Sequence, residues 1–422
     1  MSFIDEILEP IYIPPFYKVT QHFPRPVLSD LECAISSELK KPGIIDRILP
    51  GQRIAIAVGS RGIANLPTIV KVMVQHIKQA DAYPFIVPAM GSHGGATGPG
   101  QQKVLEGLGI TETSVGAPII SDMDVVEIAR SEYGHPVYLD RNAFNSDGII
   151  IINRIKPHTA FRGIYESGLM KMITIGLGKQ KGAETCHALG FKYMAQFVPA
   201  IAKAALSAAN ILFGLAVLEN AYDETYKIIA IPSETIPDIE PQLLNEAKAH
   251  MPRIMFDPID VLIIDEIGKN ISGDGMDPNI TGRYPTPYAS GGPSVSKMVI
   301  LDLTEATHGN ANGLGTGDMT TKRAYEKIDW EQTYPNALTS TVTGPVKLPM
   351  VLKNDRQAIQ AAVKTCNAPV LENVRMVRIK NTLKLEEILI SQALLDEALS
   401  NPKIDIVSGP FMLPFDSKGN LL

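Results

Sequence analysis

Apolar runs alternate with amphipathic stretches through the first half of the chain. Consecutive apolar residues, many of them β-branched, predict buried strands over Arg53–Val58 and over residues 84–90 and 147–153. Helical periodicity or helix-forming composition predicts helices over residues 66–78, 101–108 and 194–210. This alternation is typical of parallel strands that are joined by crossover helices.

The second half repeats this kind of pattern after a polar, proline-containing stretch at residues 232–258. Strands are predicted over residues 261–265 and 298–303, and helices over residues 356–364 and 385–399. We therefore expect an α/β protein of two domains, each with a mainly parallel sheet flanked by helices and with the active site in the interdomain cleft. The expected domains are 1–256, which holds the cofactor and catalytic residues, and 257–404 on the substrate side. The tail at 405–422 is expected to pack back on the first domain.

The composition and the charge argue against several classes of protein. The 422 residues carry a formal net charge of −6 and contain no conspicuous run of lysine or arginine, which argues against nucleic-acid or membrane-surface binding. The three cysteines are far apart and form no CxxC pair, so neither a disulfide framework nor a zinc ribbon is expected. With no basic, apolar leader at the N-terminus, these features predict a cytoplasmic protein.

Polar segments follow three of the predicted strands, and two of these segments contain glycine. They are Gly59-Ser60-Arg61, the segment from Gly91 to Gly95, and Arg154-Ile155-Lys156-Pro157-His158. Ligands of open parallel sheets bind outside the carboxyl ends of the strands. We therefore expect a functional site at this edge of the first domain.

Two histidines stand in these segments and are candidates for acid–base chemistry. His93 lies in the small-residue loop GSHGGATGPG, and His158 follows a proline at a strand end. Imidazole titrates near neutral pH, which suits proton transfer. A solvated turn histidine remains the alternative for His93, and a histidine bonded to a backbone carbonyl remains the alternative for His158.

Lys171 and His187 form a second pair of candidates. Lys171 lies in a mostly apolar run, and burying a charged lysine is costly unless it is paired or chemically used. The alternative is a lysine whose head reaches water along an apolar surface. His187 is a candidate metal ligand, and the alternative is a structural polar residue.

The order Gly-Ser-His, Pro-His, Ser-Gly-x-x-Lys, and a histidine sixteen residues after that lysine resembles the nickel-pincer nucleotide-dependent lactate racemase family. The resemblance implies that Lys171 carries the pyridinium-3-thioamide-5-thiocarboxylic acid mononucleotide and that His187 binds its nickel. It implies that His93 and His158 are the catalytic acid–base pair. It also implies that Arg61, with Ser60 and Gly94 beside it, contacts the cofactor. The enzymes that synthesise the cofactor are then partners, and protein expressed without them is expected to lack it.

The chain departs from the family pattern near this motif. Val58 replaces an acidic residue, Leu169 and Met170 replace small residues, and Ile175 stands where a proline is common. We therefore expect a reshaped cofactor pocket and do not equate the substrate with lactate.

A long polar loop follows the first predicted strand of the second domain, from Asp265 to Arg283. Loops of this length inside a compact domain are usually functional or disordered. A cation near a substrate carboxylate can form charge-assisted hydrogen bonds. The substrate candidates in this half of the chain are Lys269, Asn270, Arg283 and Lys322.

These expectations favour an isomerase, a racemase or epimerase of a small 2-hydroxy acid. Removing the C2 hydrogen as hydride avoids a dianionic carbanion, and mirror-image substrates present their hydroxyl groups in different directions. Two histidines meet that demand. Two alternatives remain at this point: a zinc hydrolase that uses His93, His158 and His187, and a two-domain carboxylate-binding protein.

Overall fold

The computed structural model describes residues 2–60, 62–188 and 190–422, and these divide into two compact units. The first unit is Pro24–Met251, and the second comprises residues 2–23 together with Pro252–Leu422. Each unit is a mixed α/β structure built on a mainly parallel sheet, which confirms the expected fold class.

The regular elements are numbered along the chain. The strands are β1 (Phe16–Gln21), β2 (Arg53–Val58), β3 (Tyr83–Pro88), β4 (Val125–Arg130), β5 (Pro136–Asp140), β6 (Gly148–Arg154), β7 (Ile211–Glu219), β8 (Thr225–Pro232), β9 (Ile259–Ile264), β10 (Val295–Ile300), β11 (Met319–Thr321), β12 (Met350–Leu352), β13 (Met376–Ile379), β14 (Glu387–Ser391) and β15 (Ile404–Phe411). The helices are α1 (Phe3–Leu8), α2 (Leu31–Leu39), α3 (Leu66–Gln79), α4 (Gly98–Gly107), α5 (Glu112–Val115), α6 (Arg141–Phe144), α7 (Leu169–Lys171), α8 (Lys179–His187), α9 (Met194–Ala208), α10 (Ile236–His250), α11 (Pro278–Thr281), α12 (Lys322–Glu326), α13 (Trp330–Ser340), α14 (Asp355–Thr365) and α15 (Leu395–Ser400). Among the described residues, no helix has the length and apolar character that crossing a bilayer requires.

The sheet of the first unit has the strand order β3-β2-β6-β7-β8. Its strands are parallel except for β8, which runs antiparallel to β7. Residues Ile54 to Val58 of β2 are buried on both faces of the sheet, as a continuous apolar strand requires. The predicted strands at this position and at 84–90 and 147–153 are present as β2, β3 and β6.

The sheet of the second unit has the order β12-β11-β10-β9-β13-β14-β1-β15. The five strands β12, β11, β10, β9 and β13 run parallel to one another. β14 pairs antiparallel with β13 and β1, and β1 pairs antiparallel with β15. β1 therefore lies between two strands from the end of the chain. Its Phe16 is fully buried in an apolar cluster with Val261 and Ile359.

This pairing changes the expected division of the chain. Residues 2–23 belong to the second unit because β1 pairs with β14 and β15. The tail also packs in the second unit, through β15, whereas we expected it on the first. The change of unit falls after Met251, close to the expected boundary at residue 256.

The helix predicted over residues 385–399 is wrong. The segment forms the strand β14 and only then the short helix α15, Leu395–Ser400. Its leucines and glutamates favour a helix locally, but pairing of β14 with both β13 and β1 buries Ile388 and Ile390. Tertiary pairing thus outweighs local propensity here.

Truncating the buried ring of β1 tests this topology. Phe16→Ala should destabilise the second unit by about 3–5 kcal/mol, because a fully buried ring is replaced by a cavity. Denaturant unfolding of the purified variant measures the change. Phe3→Ala is the matched control, since that ring is 76% exposed. An equal loss of stability in both variants would contradict the buried position of β1.

Candidate active site

The site is built at the edge of the first sheet where β2, β3 and β6 end. These strands are parallel neighbours, so their carboxyl ends lie at one edge. A π-helical turn, Met172–Gly176, packs against this edge, and the Gly91 amide donates to the Gly176 carbonyl at 3.3 Å. A Cβ on Gly176 would stand 2.7 Å from the carbonyl oxygen of Ala89. Glycine is therefore needed for the turn to approach the strand end closely.

His93 lies in the loop after β3 and is exposed. Its Nδ1 is hydrogen bonded to the Oγ of Ser60, which follows β2. Gly94 has a φ of +66°, and a Cβ there would lie 2.5 Å from the carbonyl carbon of Gly100 in α4. The structure thus brings two of the predicted residues, Ser60 and His93, into direct contact.

A fully buried lysine ties this loop to the sheet. The Lys179 Nζ donates to the Pro88 carbonyl (2.6 Å) and to Gln101 Oε1 (3.0 Å), and it forms an ion pair with Asp140 (3.1 Å). Gln101 in turn donates to the His93 carbonyl at 3.3 Å. Burial lowers the pKa of Lys179 and raises the pKa of Asp140. Lys179 is therefore committed to holding the His93 loop.

His158 is buried and is held through both its backbone and its ring. Its backbone amide donates to Glu166 Oε2 (2.7 Å), and its Nδ1 accepts from the Ala160 amide (3.0 Å). Burial, followed by the nearby Lys171 and His187, lowers the pKa of His158 well below its usual range. The ring is thus neutral near pH 7, and an accepting Nδ1 assigns its proton to Nε2.

The Lys171 Nζ lies 2.7 Å from His158 Nε2. Lys171 ends α7, directly before the π-helical turn, and its side chain is half-buried. Because His158 carries its proton on Nε2, this contact is a hydrogen bond when the Lys171 amine is uncharged and accepts. The geometry therefore suits a neutral nitrogen at this position.

His187 ends α8 and faces the same region. Its ring centroid is 5.3 Å from that of Phe191, and the His158 centroid is 6.2 Å from the same ring. The His187 Nδ1 is buried and has no hydrogen-bond partner among the described residues. Burial, together with Lys171, lowers the pKa of His187 to about 4. His187 is therefore a neutral imidazole with an unsatisfied nitrogen, which is the form that binds metals.

The structure brings Lys171, His158 and His187 close together, with Phe191 near both histidine rings, and it places His93 at the same edge of the sheet. Arg61 lies outside the described residues. No group of three or more His, Cys, Asp or Glu side chains in the described ranges is arranged to hold a metal by itself.

The candidates in the second unit are bonded within that unit. The partners are the Gly273 carbonyl for Lys269 (2.6 Å), Thr304 Oγ1 for Asn270 (2.6 Å), Asp318 Oδ2 for Arg283 (3.0 Å) and Glu326 Oε1 for Lys322 (3.5 Å). Arg283 also donates to two carbonyls of β10, so its guanidinium fixes the loop to the sheet. Lys322 is exposed and its ion pair is long.

Sequence reasoning missed three residues around Lys171. Glu166 anchors the His158 amide, Phe191 lies near both histidine rings, and Glu240 accepts the Met170 amide at 2.9 Å. Glu166 stands directly before the Ser-Gly-x-x-Lys motif, and its charge in an apolar segment was a usable signal. Glu240 gave none, since it is 70 residues from Met170.

The family model for the lactate racemase N-terminal domain matches residues 25–197, which include the described histidines and Lys171. Residues 25–197 are thus similar to the N-terminal domain of lactate racemases. The resemblance found in the sequence is thereby confirmed.

Two solved structures are similar to this protein. The lactate racemase apoprotein from Thermoanaerobacterium thermosaccharolyticum is 15% identical, with 92% of each chain covered and a TM-score of 0.48. A crystal structure of a Thermotoga maritima protein is 14% identical, covering 66% of this chain and 72% of that one, with a TM-score of 0.47. A comparison with curated proteins gave no match. The similarity to the lactate racemase family model is confined to residues 25–197.

The buried state of His187 predicts a pH dependence of stability. Its folded pKa of about 4 lies below the usual 6.5, so its contribution is full above pH 6.5 and is lost as the pH falls toward 4. His187→Gln should flatten the fall in unfolding free energy between pH 7 and pH 5 by up to about 1.4 kcal/mol per pH unit. Denaturant titrations at stepped pH measure this slope. His308→Asn, at an exposed position, should leave it unchanged, and an unaltered slope in His187→Gln would contradict the assignment.

Proposed function

We propose that this protein is a racemase or epimerase of a small 2-hydroxy acid. Lys171 carries a nickel-pincer nucleotide, His187 binds the nickel, and His93 and His158 exchange the substrate's hydroxyl proton. The observation that carries the proposal is the contact of Lys171 Nζ with His158 Nε2, in a segment that matches the lactate racemase N-terminal domain. The zinc-hydrolase and carboxylate-binding alternatives have no comparable support.

The residues at this edge of the sheet fit such a cofactor. Acylation of Lys171 would remove its positive charge, which lies beside the buried rings of His158 and His187. The buried, unsatisfied Nδ1 of His187 is an atom that a metal could engage. Ser60 and the loop at Gly94 lie next to His93 and are the proposed cofactor contacts, together with Arg61.

The cofactor, when bound, would accept the C2 hydrogen as hydride and return it to either face. The chain's own histidines handle the accompanying proton. His158 is neutral at pH 7 with its proton on Nε2, so in this state it can donate that proton, and its fixed ring directs Nε2 toward the Lys171 nitrogen. The Ser60 hydroxyl orients the His93 ring through Nδ1. One histidine acts as base and the other as acid in each stereochemical direction.

The second unit is proposed to bind the substrate carboxylate through Lys269, Asn270, Arg283 and Lys322. Lys322 is the member of this set best able to change partner, because its pairing with Glu326 is exposed and spans 3.5 Å. Exposed pairs of this kind contribute little stability, so a substrate carboxylate can replace one at small cost.

Peptide mapping tests the attachment site. In protein co-produced with the cofactor biosynthesis enzymes and nickel, the adduct should be on Lys171, and protein expressed alone should be unmodified. Lys171→Arg should abolish the adduct. Lys181→Arg is the matched control, because Lys181 is the exposed lysine of the same region and should be dispensable. An adduct on Lys179 or Lys181, or racemisation without an adduct, would end this proposal.

Substitution of each histidine tests the acid–base roles. His93→Ala and His158→Ala should each lower turnover by about 10²–10⁴-fold in both stereochemical directions, because neither histidine is spare. Chiral analysis of the product formed from each enantiomer of a 2-hydroxy acid measures the two rates. His22→Ala, at an exposed position of the second unit, is the control. Near-normal turnover in either site variant refutes that residue's role.

A further inference from the structure

A buried carboxyl group from a distant helix meets the segment that carries Lys171. Glu240 lies on α10 and is 1% exposed. Its Oε2 accepts the backbone amide of Met170 at 2.9 Å, across 70 residues of sequence. The residue before α7, Gly168, supplies no side-chain cap, so Glu240 provides the capping acceptor at the start of this short helix.

The space around Gly168, rather than its backbone conformation, points to the same contact. Its φ of −176° is extended and is open to any residue, so the backbone does not require glycine. A Cβ there would instead lie 2.2 Å from Glu240 Oε1. Gly168 therefore leaves the space that the Glu240 carboxyl group occupies.

Two further contacts join α10 to the same segment. The Tyr165 hydroxyl donates to the Pro237 carbonyl at 2.8 Å, and Lys248 Nζ donates to Glu166 Oε1 at 2.7 Å. Glu166 also accepts the backbone amide of His158. Helix α10 thus contacts the segment near both partners of the Lys171–His158 pair.

We propose that Glu240 is a positioning residue for Lys171, fixing the turn from which the lysine amine reaches His158. The proposal rests on the role of Lys171 as cofactor carrier. In this proposal Glu240 touches neither substrate nor cofactor and acts through the Met170 amide. Its second oxygen, Oε1, is buried and has no hydrogen-bond partner among the described residues, which makes burial of this carboxyl group costly.

Hydrogen exchange of the Met170 amide tests the contact directly and needs no cofactor. Glu240→Ala should speed this exchange by about tenfold or more, because the amide loses its acceptor. Glu240→Gln should keep the exchange slow, since the glutamine carbonyl can accept the same amide. Glu246→Ala on the same helix is the matched control, because its partner is Lys227. Fast exchange in Glu240→Gln, or slow exchange in Glu240→Ala, overturns the proposed contact.

The fraction of Lys171 that carries the adduct, measured by intact mass after co-production, tests the consequence. It should fall several-fold in Glu240→Ala and recover in Glu240→Gln, and thermal unfolding should show that both variants are folded. Gly168→Ala alone should lower the fraction of Lys171 that carries the adduct. Combined with Glu240→Ala it should cause little further loss, since the two substitutions act on one contact.

These outcomes separate the two proposals. Full loading of Glu240→Ala despite fast Met170 exchange overturns the positioning role. Additive losses from Gly168→Ala and Glu240→Ala overturn it as well. Absence of any adduct in the wild-type protein refutes the proposed function instead, and the exchange measurement still decides whether Glu240 holds the turn.

Discussion

The site depends on one constraint, the burial of nitrogen-containing side chains next to one another. His158, His187 and Lys171 interact electrostatically in a largely apolar region, where each additional positive charge raises the energy of the others. The arrangement therefore favours the neutral form of both histidines, and burial, followed by the neighbouring Lys171, lowers their pKa values. Because His158 carries its proton on Nε2, its hydrogen bond with Lys171 forms only when the lysine nitrogen accepts.

The two lysines flanking the π-helical turn show how environment separates chemical roles. Lys179 is fully buried and has three partners, Asp140 among them, so its charge is compensated and its head is inaccessible. Lys171 is half-buried and faces a neutral imidazole. The sequence places Lys171 in a mostly apolar run and Lys179 in a more open glycine-rich loop, whereas Lys179 is the fully buried lysine of the two. The resemblance to a family motif selected Lys171, and the contacts of each residue give that selection a physical basis.

The parts of the fold that could be predicted are those that depend on the local amino-acid sequence. Runs such as Arg53–Val58 are apolar on both faces, so their strand character and their burial follow from composition alone. The edge at which His158 lies follows from the parallel alternation. By contrast, β14 lies in the segment 385–399, whose leucines and glutamates favour a helix, and it forms a strand through pairing with β13 and β1. Glu240 likewise acquires its proposed role from a hydrogen bond with Met170, which lies 70 residues away in sequence, and no local sequence pattern indicates such a contact.

The position of β1 has a consequence for the order in which the chain folds during synthesis. The first unit is continuous from Pro24 to Met251 and can close its sheet once that segment has left the ribosome. The second unit cannot, because β1 must wait for β14 and β15, which are made last. Until then an early segment with a fully apolar ring at Phe16 has no sheet to join. The nascent chain can therefore fold the Lys171 region first and completes the remaining sheet only after β14 and β15 have been synthesised, so β1 stays exposed to solvent or chaperones until then.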